Sequence, residues 1–188
     1  MTRQPGRWVL SAAAVAAGCV VGLGFAPFNQ WYLVPAGVAA FVLVCLRSTT
    51  RVGLLRGYLF GWGFNAVAFH WSAALGLPVL AVFVAWLAVW QALVGLVIAA
   101  TRRTPLWGGV GVAAWMAAEW AGARWPLGGF GWGRLAFTAL ETPVDGWFPF
   151  LSVTGVSCLI VTTSFLLAWV LRPLTTRYEW RTRLRAVK

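Results

Sequence analysis

Six long apolar runs, separated by short breaks that contain glycine, proline or arginine, dominate the pattern of this 188-residue chain. Each run has about the 20 residues that an α-helix needs to cross the hydrocarbon core of a bilayer. Helices suit this setting because a helix satisfies its own backbone hydrogen bonds without water. The pattern therefore predicts six transmembrane helices, at residues 8–25, 31–46, 53–75, 79–100, 106–122 and 150–171.

The composition agrees with a membrane protein and excludes an ordinary soluble domain. Hydrophobic residues make up 61% of the chain and charged residues only 10%, whereas a soluble domain has about 25% charged residues. A chain of this length cannot form a core large enough to bury so much apolar surface. We therefore predict an all-α integral membrane protein, with a six-helix bundle over residues 1–171.

Basic residues are distributed unevenly between the two sides of the predicted bundle. Thirteen of the 15 Lys and Arg residues fall on one side, and only Arg124 and Arg134 fall on the other. Because Lys and Arg accumulate on the cytoplasmic side of membrane proteins, both termini are predicted to be cytoplasmic, with residues 172–188 as a basic tail. Topology and attraction to anionic lipid headgroups account for the net charge of +11, so nucleic acid is not predicted as a partner.

The first apolar run allows a second interpretation. Arg3 and Arg7 precede an apolar stretch with small residues, as in a signal peptide. The run is longer than a typical signal-peptide core, and further apolar runs follow it. An uncleaved first helix is therefore favoured.

Glycine spacing predicts where helices pack closely. Gly18 and Gly22 lie four residues apart in the first run, and Gly53, Gly57 and Gly61 repeat at the same spacing in the third. Residues four apart share one helical face, and a face of glycines lets another backbone approach. The third run is therefore expected to present a close-packing face.

Residues 115–134, WMAAEWAGARWPLGGFGWGR, form the stretch with the most candidate chemistry. Glu119 is the only acidic residue inside an apolar run, and an ionisable group there is costly and so a functional candidate. An equally supported alternative is that Glu119 is a structural carboxylate at the membrane interface, paired with Arg124.

Arg124 and Arg134 lie on the side where basic residues are scarce, in a connection over residues 123–149 that is rich in glycine and aromatic residues. A guanidinium binds phosphate through its planar fork, so contact with phospholipid headgroups is slightly favoured over ordinary loop charges balanced by Glu141 and Asp145. The aromatic residues indicate either an interfacial belt or a surface-lying arm that shapes a lipid entry site.

The residue pattern gives little support for a catalytic site or a metal-binding site. His70, next to Trp71 at the outer end of the third run, is a lone histidine, and a packing role is favoured over catalysis. No second histidine is present to complete a metal site. The cysteines, Cys19, Cys45 and Cys158, lie in apolar runs without metal-ligand spacing. Neither a cofactor nor a metal is predicted.

Four stretches, in order, resemble the N-terminal membrane part of the apolipoprotein N-acyltransferase family. They are GFAPFNQWYLVPAG at 24–37, GYLFGWGFNAVAFHW at 57–71, EWAGARWPLGGFGWGRLAF at 119–137 and TGVSCLIVTTSFLLAW at 154–169. The third is the most specific, since it is similar to the family's EW…R…GFPW…G signature, with Gly131 in place of the proline. Glu119, Trp120, Arg124, Phe130 and Trp132 match this motif.

The resemblance implies a role in lipoprotein maturation. The family transfers an acyl chain from a phospholipid to the α-amino group of a lipoprotein's N-terminal cysteine. It does so in an extracytoplasmic nitrilase-like domain that carries a Glu-Lys-Cys triad and follows a seventh helix. Neither the domain nor that helix is present in this chain, and Lys188 is expected on the cytoplasmic side. No catalytic residue is therefore assigned.

These observations together predict a multi-pass scaffold of the bacterial inner membrane, inactive alone. The expected partner is membrane phospholipid, and the N-terminus of a lipoprotein and a separate nitrilase-like catalytic subunit are further candidates. The chain is interpreted as a truncated or split version of the family or as an excerpt from a longer protein. The predicted lipid- or substrate-binding residues are Glu119, Trp120, Arg124, Phe130, Trp132, Arg134, His70 and Trp71. A lipid-binding scaffold for a separately encoded catalytic subunit and a small transporter are the alternatives. A transporter is expected to have repeats and broken helices, and the sequence has no clear repeat.

Overall fold

A computed structural model describes residues 6–126 and 128–185, with side chains as far as Pro173. Arg3, Lys188 and the side chains of the predicted tail after Pro173 lie outside the described part. All regular structure in the described ranges is helical, which confirms the all-α class. The α-helices are α1 (Arg7–Gly22), α2 (Val34–Leu46), α3 (Thr50–Ala68), α4 (Leu77–Thr101), α5 (Trp107–Gly122) and α6 (Phe148–Arg185).

Two segments of the described chain are long and apolar enough to cross a membrane. They are α4 itself and the segment Asp145–Pro173, which contains most of α6. The apolar helices at Arg7–Gly22 and Trp31–Leu46 are shorter. The structure therefore supports an apolar helical protein, while the full count of six spans stays a prediction.

The first and third helices end earlier than predicted, because turn-forming residues follow them. The first helix ends at Gly22 instead of residue 25, since the chain turns before α2 with Asn29 at a φ of 53°. The third helix ends at Ala68, and His70–Leu75 forms a 3₁₀ segment that closes at Gly76, with a φ of 117°. A positive φ suits glycine because it has no Cβ.

The beginning of α3 and the course of α6 also differ from the prediction. Helix α3 begins at Thr50, three residues before the predicted start, and therefore includes Arg51, which the prediction placed on the connection. Helix α6 is kinked at Ser152 (φ 56°, ψ 176°) and continues past residue 171 to Arg185. The described part of the basic tail is thus a helical extension of α6.

The six helices contact one another in a closed ring, in the order α1, α3, α4, α5, α6, α2 and back to α1. Helix α3 lies between α1 and α4, and glycines of α3 and α1 explain both contacts. A Cβ at Gly57 would lie 2.4 Å from the Gln91 carbonyl oxygen in α4, and one at Gly18 of α1 would lie 2.1 Å from the Phe60 carbonyl oxygen. The predicted close-packing faces are confirmed.

Aromatic side chains fill the interior between α2, α3 and α5. The rings of Phe41 and Phe60 stack with centroids 4.1 Å apart. Trp115 of α5 meets Phe41 and Phe60 edge-on, at 6.2 and 6.1 Å respectively. Trp115 thereby ties α5 to the core one turn before Glu119.

A buried arginine was not foreseen. Arg56 is 3% exposed in α3. Its Nη1 donates a hydrogen bond to Ser48 Oγ at 2.7 Å, and Ser48 Oγ donates to the Val44 carbonyl at 2.8 Å. Arg56 therefore ties α3 to the end of α2 instead of extending into the connection.

Candidate functional site

The connection after α5 returns to the helices through a glycine turn. Gly128 and Gly129 have φ values of 93° and 77°, and a Cβ at Gly129 would lie 2.2 Å from the Ala123 carbonyl carbon. The turn lets the Phe130 amide donate a hydrogen bond to the Gly122 carbonyl at 2.7 Å. This geometry brings Phe130 and the residues after it against the ends of α3, α4 and α5.

Glu119 is the acceptor that holds this connection in place. Its side chain is 8% exposed. Oε1 accepts hydrogen bonds from the Leu135 amide at 3.0 Å and from Trp115 Nε1 at 3.2 Å. Oε2 lies 3.7 Å from Nε of Arg134. The carboxylate therefore joins α5 to the middle of the connection.

Arg134, and not Arg124, is the partner of Glu119. Besides facing the carboxylate, Arg134 donates from Nη2 to Thr154 Oγ1 of α6 at 2.8 Å. Arg124 turns back over the end of α5, because its guanidinium donates to the Trp120 carbonyl at 3.1 Å and lies 4.6 Å from the Trp120 ring centroid. The two arginines of this side thus have different environments.

A second contact fixes the connection to α6. The Ala136 amide donates to Ser157 Oγ at 3.0 Å. Around it, the segment Leu135–Ala139 is a 3₁₀ helix whose Ala136 and Ala139 pack with Val156. This part of the connection is consequently buried in the protein and does not lie at its surface.

A small polar cavity of about 40 Å³ lies beside the pair formed by Glu119 and Arg134. Asn65 of α3 and Gln91 of α4 also line it, and Asn65 Nδ2 donates to Gln91 Oε1 at 3.4 Å. Neither Asn65 nor Gln91 is among the residues predicted for the site. Each is a strongly polar side chain within an apolar helix. This could have identified both residues from the sequence, since polar residues in such helices are expected to face partners in the interior.

Phe130 is the centre of an aromatic cluster above this cavity. Its ring meets Phe69 at 5.0 Å and Phe83 at 4.8 Å, both edge-on, and Trp132 at 5.7 Å. Trp132 in turn lies 6.4 Å from Trp71. The cluster brings three of the predicted site residues, Phe130, Trp132 and Trp71, together with two that the sequence analysis missed.

An apolar groove of about 680 Å³ lies on the other side of Phe130. It runs between the first half of α4 and the glycine turn. Its lining consists almost entirely of carbon: Pro78, Val79, Val82, Phe83, Trp86, Pro126, Gly129 and Phe130. Phe130 lines both this groove and the polar cavity, so its side chain is common to the two spaces.

His70 lies apart from the polar cavity. The side chain is exposed, its Nδ1 is 2.9 Å from the Val67 carbonyl oxygen, and its ring is 5.6 Å from that of Phe28. Trp120 and Arg124 form an exposed pair at the end of α5. Within the described ranges, no three His, Cys, Asp or Glu side chains are grouped to hold a metal ion.

Similarity to known proteins identifies the family of this chain. The model of the apolipoprotein N-acyltransferase N-terminal domain matches residues 17–166. Apolipoprotein N-acyltransferase of Methylococcus capsulatus is 31% identical over 179 residues, which cover 84% of this chain and 34% of the relative. The Pseudomonas syringae protein of the same name is 31% identical over 178 residues, which cover 87% of this chain and 35% of the relative.

Apolipoprotein N-acyltransferase of Coxiella burnetii is 29% identical over 172 residues, which cover 80% of this chain and 34% of the relative. The chain thus spans about a third of the length of the curated relatives it matches. The order of the family's motifs, the all-α fold and these matches agree. The chain belongs to the apolipoprotein N-acyltransferase family, within the part that the family's N-terminal domain represents.

Proposed function

We propose that this chain is the lipid-holding membrane part of an apolipoprotein N-acyltransferase-like protein in the bacterial inner membrane. In this proposal all six helices cross the membrane and both termini are cytoplasmic. The uneven distribution of arginine supports the orientation. Helices of 16 residues such as α1 and α5 rise about 24 Å, so flanking interfacial residues complete their crossing of a ~30 Å core.

The observation that carries the proposal is the place of Phe130 between the apolar groove and the polar cavity. The groove is open and apolar, which suits an acyl chain of a phospholipid. The exposed ring of Trp132 lies beside Phe130, and the exposed ring of Trp71 lies beside Trp132. Aromatic rings of this kind favour the headgroup level of a bilayer. A phospholipid from the outer leaflet therefore has an apolar and an interfacial contact here.

Arg124 is the headgroup contact in this proposal. Arg134 faces a carboxylate and a hydroxyl inside the protein, whereas Arg124 is exposed next to Trp120. Arg124 also lies two residues before Pro126, which lines the groove. A guanidinium at this position can contact a phosphate without leaving Glu119 unpaired.

Acyl transfer is proposed to need a nitrilase-like catalytic part in addition to these 188 residues. The family's chemistry is nucleophilic: a thiolate takes the acyl chain as a thioester, and the amine of the lipoprotein's N-terminal cysteine then attacks it. Here Cys19, Cys45 and Cys158 all lie within helices, and none lies at the groove. The proposed contribution of this chain is to present the donor lipid and the lipoprotein anchor.

Photo-crosslinking tests the lipid site directly. The purified chain is placed in lipid nanodiscs that contain a phospholipid with a diazirine on its acyl chain, and crosslinked peptides are identified by mass spectrometry. Peptides containing residues 78–86 and 126–130 are expected to dominate. Val82→Trp, in the groove, should reduce their labelling several-fold.

Val89→Trp is the matched control. Val89 is exposed on the same helix, α4, but does not line the groove. Labelling of residues 78–86 should stay unchanged in this variant. Uniform labelling of all exposed helix faces, or equal effects of the two tryptophans, would contradict the proposal.

A further inference from the structure

Three buried polar atoms belong to side chains that line the small cavity beside Glu119. They are Trp90 Nε1 of α4, Glu119 Oε2 of α5 and Arg134 Nε of the connection after α5. None of the three has a hydrogen-bond partner among the residues that the structure describes. A buried polar atom without a partner is rare and destabilising. Three of them around one cavity therefore indicate a ligand.

The direct contact between Glu119 and Arg134 does not satisfy these atoms. Glu119 Oε2 and Arg134 Nε are 3.7 Å apart, which is beyond the length of a hydrogen bond. The bonds from the Leu135 amide and from Trp115 Nε1 go to the other oxygen, Oε1. The Ser157 hydroxyl also interacts with the carboxylate, but a carboxylate oxygen can accept more than one hydrogen bond. Oε2 and Nε therefore both have capacity for a bridging group.

The chemistry of the three atoms defines what can bind between them. The indole N–H of Trp90 and the guanidinium N–H of Arg134 can only donate a hydrogen bond, and the ionised carboxylate of Glu119 can only accept one. A cation would meet Arg134 and an anion would meet Glu119, so a neutral group is favoured. It must accept two hydrogen bonds and donate at least one, which describes a water molecule or a hydroxyl group.

The size of the cavity selects water. Its volume is about 40 Å³, and one water molecule takes up about 30 Å³ in the liquid. Asn65, Leu87 and Trp115, which are also part of the lining, are buried. A hydroxyl group carried by a larger molecule therefore has no room here for the rest of that molecule.

We infer that one water molecule is bound in this cavity as a fixed part of the protein. It accepts hydrogen bonds from Trp90 Nε1 and Arg134 Nε and donates one to Glu119 Oε2. Its second hydrogen is directed to Gln91, which also lines the cavity and whose Oε1 accepts a hydrogen bond only 3.4 Å long from Asn65. Buried waters in proteins typically make about three such bonds and are costly to remove.

The bound water connects α4 to the connection after α5. Trp90 belongs to α4, whose first half forms one wall of the apolar groove, and Phe130 lines both the groove and the cavity. A Cβ at Gly122 of α5 would lie 3.2 Å from Trp90 Nε1, so glycine leaves space for the indole nitrogen at the cavity. The water thus fixes α4 and the connection relative to each other beside Phe130.

A crystal structure of the full chain grown in a lipidic mesophase, at a resolution that shows ordered water, tests the inference. One solvent peak is expected within about 3.2 Å of Trp90 Nε1, Arg134 Nε and Glu119 Oε2. Trp90→Phe keeps an aromatic ring but removes the donor, and it should at least halve the occupancy of this peak. No peak in the unmodified chain, or a protein group bonded to Trp90 Nε1 in its place, would overturn the inference.

Trp86→Phe is the matched control. Trp86 lies one turn earlier on α4 and lines the apolar groove, but it does not line the cavity. The same loss of ring size at this position should leave the solvent peak unchanged. An equal loss of the peak in both variants would contradict the inference, because the peak would then depend on the general packing of α4.

A second measurement needs no substitution. In nanodiscs, nuclear magnetic resonance detects magnetisation transfer from water to the indole N–H of Trp90, which is assigned through its contact with Gly122. We expect transfer to this proton although its nitrogen is buried. Absence of transfer, while the exposed indole of Trp132 shows it, would overturn the inference. The result does not depend on the proposed lipid site, since it concerns only the cavity.

Discussion

The two ends of α5 use arginine in opposite ways. At the Glu119 end, Arg134 is 18% exposed and faces a carboxylate and the Thr154 hydroxyl. At the other end, Arg103 is exposed on a connection without an acidic residue. This connection leads into an open apolar groove of about 510 Å³ between α5 and α6, which Gly108 and Gly109 help to line. The comparison shows that burial and an acidic partner hold Arg134 within the protein, whereas Arg103 has no such burial.

The largest expected effect comes from breaking the pair formed by Glu119 and Arg134. Arg134→Met leaves the Glu119 carboxylate buried without its cation, and removing one partner of a buried pair costs about 3–5 kcal/mol. Glu119→Gln combined with Arg134→Met removes both charges and should recover part of that loss. The free energy of unfolding, measured by denaturant titration in detergent, checks both changes.

Glu141→Gln provides the control for that pair, because Glu141 is an exposed acidic residue of the same connection. It should change the free energy of unfolding by less than about 0.5 kcal/mol. If Arg134→Met were as mild as Glu141→Gln, the structural role of Arg134 would be wrong.

A smaller effect is expected from filling the interface between α3 and α4. Gly57→Ala places a methyl group 2.4 Å from the Gln91 carbonyl oxygen, and overpacking of this kind costs about 1–3 kcal/mol. Gly108→Ala meets no atom within 4 Å and should be neutral or stabilising by about 0.5–1 kcal/mol. Thermal unfolding of both variants in one detergent compares the filled face with the open groove. Equal melting temperatures would contradict the contrast.

The smallest effect on stability is expected at Arg124. Arg124→Gln removes an exposed charge and should change the free energy of unfolding by less than about 0.5 kcal/mol. In the photo-crosslinking experiment it should nevertheless lower the labelling of residues 126–130, since the proposed phosphate contact is lost. The labelling of unmodified chain should also fall near 1 M salt, where charges are screened beyond ~3 Å. Unchanged labelling in both tests would remove Arg124 from the proposed site.

Local patterns predicted much of the fold. Apolar runs of nearly constant length gave the order of all six helices, and four-residue glycine spacing identified the packing faces of α1 and α3. Both patterns follow from the geometry of a single helix, so they can be recognised without knowing which helices lie next to each other. The helix ends were less accurate, because 3₁₀ turns and positive φ values at Asn29 and Gly76 depend on how the chain turns.

The partners within the site could not be read from the sequence. One of the two equal interpretations of Glu119 paired it with Arg124, five residues away, but the glycine turn at 128–129 brings Arg134 back to the carboxylate instead. The burial of Arg56 was not predicted either, because its Ser48 partner is known only once α2 and α3 are packed. Contacts across a folded connection depend on its three-dimensional path.

The most direct test of the central claim is reconstitution in a strain depleted of its own N-acyltransferase. This chain is expressed alone, then together with a separately encoded seventh helix and nitrilase-like domain, and mass spectrometry measures N-acylation of a reporter lipoprotein. We expect acylation only when both parts are present, with a several-fold loss for Val82→Trp and none for Val89→Trp. Acylation by this chain alone would show that the proposed division of labour is wrong.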